Sequence, residues 1–138
     1  MRTHPFVALL VAVPMLTGCS TSSVATSTTR GTPPGIDASE NLLNGLPLAV
    51  WLDEDRAALA VVTFGSSSCP PVPTSISRLD DTTLSISFVR SPDTPCTADL
   101  AATTHEFETP EGIAADSPVT AELGFENEQR YTVDVQDR

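Results

Sequence analysis

Beyond Gly45, apolar and polar side chains alternate with a period of two, interrupted by short runs of Gly, Pro, Ser and Asp. A strand sends successive side chains to opposite faces, so this period predicts strands that each bury one face. Leu48, Val50 and Leu52 alternate with Ala49, Trp51 and Asp53, the pattern of a first, half-buried strand. After the acidic turn Asp53 to Arg56, Ala57 to Phe64 is apolar at odd and even positions alike, as in a central strand covered on both sides. Val72 to Leu79 and Thr83 to Arg90 are joined through Asp80-Asp81-Thr82, with Leu84, Ile86 and Phe88 set against Ser85 and Ser87; this is a hairpin. Ala102 to Thr109, Val119 to Phe125 and Arg130 to Val135 complete the set. Two short helical signals stand beside them. Asp37-Ala38-Ser39-Glu40 precedes Leu42, Leu43 and a Gly45 stop, and Thr97-Ala98-Asp99-Leu100 has a capping threonine for one turn. Seven short strands over about 90 residues predict an all-β fold, a small immunoglobulin-like β-sandwich with a small β-barrel as the alternative.

The first 36 residues follow other rules. After a single early charge at Arg2, Phe6 to Leu16 is an apolar run too short for a bilayer-spanning helix, which needs about 20 residues. It is the hydrophobic core of a signal peptide, and Pro14 near its end favours an extended cleavage region. Leu16, Thr17, Gly18 and Cys19 resemble the lipobox of bacterial lipoproteins. The resemblance implies that Leu16 to Gly18 are read by the signal peptidase and that Cys19 receives a diacylglyceryl group and becomes the new N-terminus. Two acyl chains make a stable anchor, whereas a single one gives only marginal binding. Ser20 to about Pro34 is Ser, Thr, Pro and Gly with few large apolar residues and reads as a flexible tether, because it buries too little surface to offset its ordering entropy. The expected organisation is therefore a signal peptide over 1–18, a lipidated cysteine and tether over 19–36, and a β-domain over 37–138. The expected place is the extracytoplasmic face of the cell membrane.

Composition sharpens this picture. The chain has no lysine, and removing the leader takes away Arg2, so six Arg face 18 Asp and Glu, a net charge of −12. Nucleic acid and anionic headgroups are repelled by such a domain and are expected to be poor partners, with no nucleic acid among the expected ones. Three cysteines are an odd count in an exported chain. With Cys19 acylated, Cys69 and Cys96 form an even pair in an oxidising compartment, where a disulfide is the default.

At Gly65-Ser66-Ser67-Ser68-Cys69-Pro70, Cys96-Thr97-Ala98-Asp99-Leu100, Thr104 and Pro110-Glu111-Gly112, the last 75 or so residues resemble small actinobacterial secreted lipoproteins with a two-cysteine pattern. The resemblance implies export, a bridge and a β-rich domain; it brings no activity and no binding residue with it.

Candidate chemistry is sparse. Ser66, Ser67 and Ser68 lie in a loop, but no Gly-x-Ser-x-Gly elbow surrounds them, and His105 is the only histidine of the mature chain. A small envelope hydrolase using a loop serine, His105 and an acid such as Asp99 is the alternative to a non-enzymatic module. Glu106 and Glu108 share a strand face about 7 Å apart by the strand rise, a separation a glycosidase pair could use, although neighbouring carboxylates usually make a solvated face. Asp53, Glu54 and Asp55, and Asp80 with Asp81, have the oxygen chemistry of calcium ligands without EF-hand spacing; turns favour Asp for their own hydrogen bonds. Neither a metal nor an organic cofactor is expected. Trp51 has two open roles, packing between sheets or exposed anchoring of a ligand. The expected function is binding or scaffolding at the cell envelope, with an envelope protein or cell-wall partner, through Trp51, Ser66, Ser67, Ser68 and Asp99.

Overall fold

A computed structural model describes residues 22–138; the lipobox residues Leu16, Thr17, Gly18 and Cys19 lie outside them. The chain forms β1 (Ser27–Arg30), α1 (Ser39–Asn44), β2 (Leu48–Trp51), β3 (Ala58–Gly65), β4 (Val72–Asp80), β5 (Thr83–Val89), β6 (Ala101–Glu108), β7 (Thr120–Phe125) and β8 (Arg130–Gln136). The fold is all-β, as the alternation predicts. Its eight strands lie in the order β1-β6-β3-β2-β8-β7-β5-β4.

The two sheets expected of a sandwich are one curled sheet here, because β8 serves both halves. Its residues from Arg130 to Asp134 pair antiparallel with β7, and its end, Val135 and Gln136, pairs parallel with Ala49 and Val50 of β2. A second parallel pairing joins β5 to β7, from Thr83 opposite Thr120 to Phe88 opposite Phe125. Between the halves lies the main core, built from Ala49, Trp51, Leu59, Val61 and Phe107 on one side and Leu84, Ile86, Phe88, Ala121 and Leu123 on the other. The inward residues of β5 are Leu84, Ile86 and Phe88, every second position, as its sequence predicts.

The two-sided apolarity of β3 also has its reason. Leu59 and Val61 enter the main core, while Ala60 and Val62 join Leu48 and Val50 in a second cluster closed by Ile36, Ala38 and Leu52. The stretch leading into α1, through Ile36 and Ala38, thus covers the outer face of the sheet, while the helix itself buries no residue. Asp37 takes the amide and hydroxyl of Ser39 at 3.0 and 2.6 Å, and Gly45 ends the helix in the left-handed region at φ 63°, a conformation that costs glycine little.

The expected tether departs most from its sequence reading. Its residues Ser27–Arg30 make an eighth strand, antiparallel to β6 in the register Ser27 opposite Glu106 and Thr28 opposite His105. Around it the amides of Val24, Thr26 and Gly31 donate to Pro73, Glu106 and Ala102 at 3.0, 2.8 and 2.9 Å, and Ala25 packs on the main core. Val24 therefore bridges the two edges of the curl, since Pro73 belongs to β4 at the far end of the sheet.

Candidate functional site

Gly65 at the end of β3 lies opposite Ala101 at the start of β6, so the loops that follow one and precede the other leave the sheet side by side. This adjacency lets Cys69 and Cys96 join in a disulfide, Cα to Cα 5.3 Å across a separation of 27 residues. Around the bridge the loop hydroxyls converge on Thr97. Ser66, Ser67 and Ser68 place their Oγ atoms 2.9, 3.3 and 3.3 Å from Thr97 Oγ1; the Thr97 amide donates to Ser68 Oγ at 2.9 Å. Thr97 donates its hydroxyl to Asp99, whose carboxylate also takes the Ser67 amide at 3.1 Å. Hydrogen bonds from Ser67 and then Thr97 hold the Asp99 carboxyl well below the usual carboxylate range. The expected helical turn over Thr97 to Leu100 is absent: the threonine spends its hydroxyl on Asp99 and the serines rather than on a helix amide. Sequence reasoning reads Thr97 as a helix cap and does not count it among the candidate binding residues.

Beside the bridge opens a groove of about 600 Å³, lined by Cys69, Pro71, Phe88, Val89, Arg90, Phe125 and Glu126 among others. Its floor exists because β5 and β7 end level with each other. Phe88 and Phe125 stack with centroids 5.0 Å apart and planes 12° from parallel. Glu126 carries the pairing one step past them: its amide donates to Phe88 O at 3.1 Å and its Oε2 accepts the Arg90 amide at 2.9 Å. The sequence marks Phe88, Arg90 and Phe125 only as strand residues and does not single out Glu126. The only available signal was that two alternating stretches both finish on phenylalanine.

The other candidates are placed elsewhere. His105 is fully buried, with Nδ1 3.3 Å from Thr28 Oγ1 and Nε2 3.1 Å from Thr63 Oγ1, and it meets Phe88 edge to face. Burial pushes its pKa down to about 4. Along β6 it stands four residues from Ala101, roughly 13 Å by the strand rise, and both ring nitrogens face threonines; the structure does not bring it to Ser66, Ser67 or Ser68. Trp51 is 1% exposed within the main core, with the Arg56 guanidinium 5.3 Å from its ring centroid. It is removed from the candidate binding surface, because β2 is flanked by β3 and β8 and its inner face meets the other half of the curl.

Glu106 is half-buried and Glu108 exposed; neither borders the groove. Asp53 and Asp80 turn their carboxylates to amides of their own turns, Ala57 at 2.8 Å and Thr82 at 2.8 Å, and among the described residues no group of three or more His, Cys, Asp or Glu gathers as a metal site would require. No described helix is long and apolar enough to cross a membrane. Comparison with protein-family models, curated proteins and solved structures finds no match to this chain.

Proposed function

We propose that this chain is a lipid-anchored, non-enzymatic binding module of the cell envelope, held at the extracytoplasmic face through Cys19, with the disulfide end of the β-domain as its binding surface. The observation that carries the reading is the bridge itself. It fixes the loops 66–71 and 91–100 beside an aromatic-floored groove, and loops already immobilised lose less entropy when a partner docks. The buried environment of His105, with threonines at both nitrogens, supports binding over hydrolysis, since a general base must reach the proton it takes.

Two measurements test this. Cys19→Ala should release the chain from the membrane fraction or leave an unprocessed precursor; normal cleavage with unchanged membrane retention would contradict the anchor. For the binding surface, hydrogen exchange of the full chain mixed with separated envelope lipid, protein and wall-polymer fractions should show protection at 66–71, 89–97 and 125–127. Protection confined to other strands would contradict it.

A further inference from the structure

The disulfide-end groove carries both signs of charge without pairing them. Arg90 and Glu126 both line it, yet the one ion pair among the described residues is Arg56 with Asp137. Glu126 gives one oxygen to the Arg90 amide; among the described residues its other oxygen and the Arg90 guanidinium have no hydrogen-bond partner. Of the other acids nearby, Asp93 turns to Ser91 Oγ at 3.2 Å. Pro71, Val89 and the half-buried ring of Phe125 supply an apolar wall and floor. A ligand that complements this set has an anionic group for Arg90, a cationic group for Glu126 and an apolar part. A purely anionic amphiphile would meet Glu126 and the excess of acid in the chain.

The groove also stands where the chain leads to its anchor. Val24 is hydrogen-bonded to Pro73, two residues from Pro71 on the groove wall. Four residues separate Val24 from Cys19, so even at full extension the two Cα atoms are no more than about 18 Å apart. The folded domain is therefore confined near a lipidated Cys19, whereas a tether ending at residue 36 would let it stand several times farther away.

We infer that the groove binds the headgroup region of a zwitterionic phospholipid at the membrane surface, the phosphate on Arg90, the ammonium on Glu126 and the first apolar carbons against Pro71, Val89 and Phe125. The inference rests on the groove end being the binding surface proposed above, and names its ligand. It excludes nothing about the anchor.

The test uses the full chain carrying Cys19→Ala, which removes the acyl site and no described residue, titrated below micelle formation with dihexanoylphosphatidylethanolamine while amide NMR shifts are followed. Saturable shifts at Val89 to Ser91 and Phe125 to Asn127 are expected. Arg90→Ala and Glu126→Gln, the latter keeping an acceptor for the Arg90 amide, should each weaken binding by about tenfold, the usual effect of losing a charged hydrogen-bond partner. Arg30→Ala, on β1, should not. Dihexanoylphosphatidylglycerol, which lacks the ammonium, and phosphoethanolamine, which lacks the chains, should both bind more weakly. Equal binding of the two lipids, equal binding of phosphoethanolamine, or indifference to both groove substitutions would overturn the inference. Exchange protection of the same loops by the protein or wall fraction would then leave the binding surface standing with another ligand.

Discussion

Two residues that sequence alone left open are settled by burial, and each has a measurable consequence. His105 is neutral in the fold because its charged form is desolvated. Its folded pKa, about 4, lies below its ordinary 6.5, so as pH falls through that window the unfolded chain binds a proton that the folded chain refuses. Stability present above pH 6.5 should decline toward pH 4, by roughly 3 kcal/mol over the full window. Urea unfolding at pH 7 and pH 4.5 measures it, and His105→Leu should remove most of this slope; an unchanged slope in that variant would assign it to other groups. Trp51 lies in the main core, its indole nitrogen without a hydrogen-bond partner among the described residues, so packing and the Arg56 contact are its contributions. Trp51→Ala should cost about 3–5 kcal/mol, whereas a surface anchor would cost binding and leave the unfolding midpoint in place.

At the scale of elements, the strands legible in the sequence are those held by side-chain burial. β5 shows its alternation because Leu84, Ile86 and Phe88 face the core, and β3 shows none because two clusters claim its two faces. β1 was illegible for the opposite reason. Ser27-Thr28-Thr29-Arg30 buries almost nothing and is held by backbone bonds to β6, with Thr28 completing the partners of His105. A tether could be trimmed without effect, but deleting residues 22–31 should lower stability by about 3 kcal/mol or more. The amides of Val24, Thr26 and Gly31 alone account for that, at about 1 kcal/mol each. An unfolding midpoint unchanged by the deletion would return this stretch to the tether. The groove was illegible because its floor depends on β5 and β7 lying parallel, a pairing that no local pattern encodes.

For the whole molecule, cysteine parity was the most informative sequence feature, since Cys69 and Cys96 do pair. What parity could not show is that their bridge borders a groove whose polar and aromatic residues come from β5 and the β7 end. Reducing the bridge should lower stability by about 3–4 kcal/mol, chiefly through the freed unfolded chain, and should weaken ligand capture at a denaturant concentration where the domain is still folded. The central claim is that this end, and no other face, meets the envelope. A photo-crosslinking residue placed at Asn127 on the groove rim, and separately at Leu43 on α1, which is 85% exposed, tests it in intact cells. Crosslinks to an envelope component from Asn127 with none from Leu43 are predicted; equal capture from both, or capture from Leu43 alone, would contradict the account.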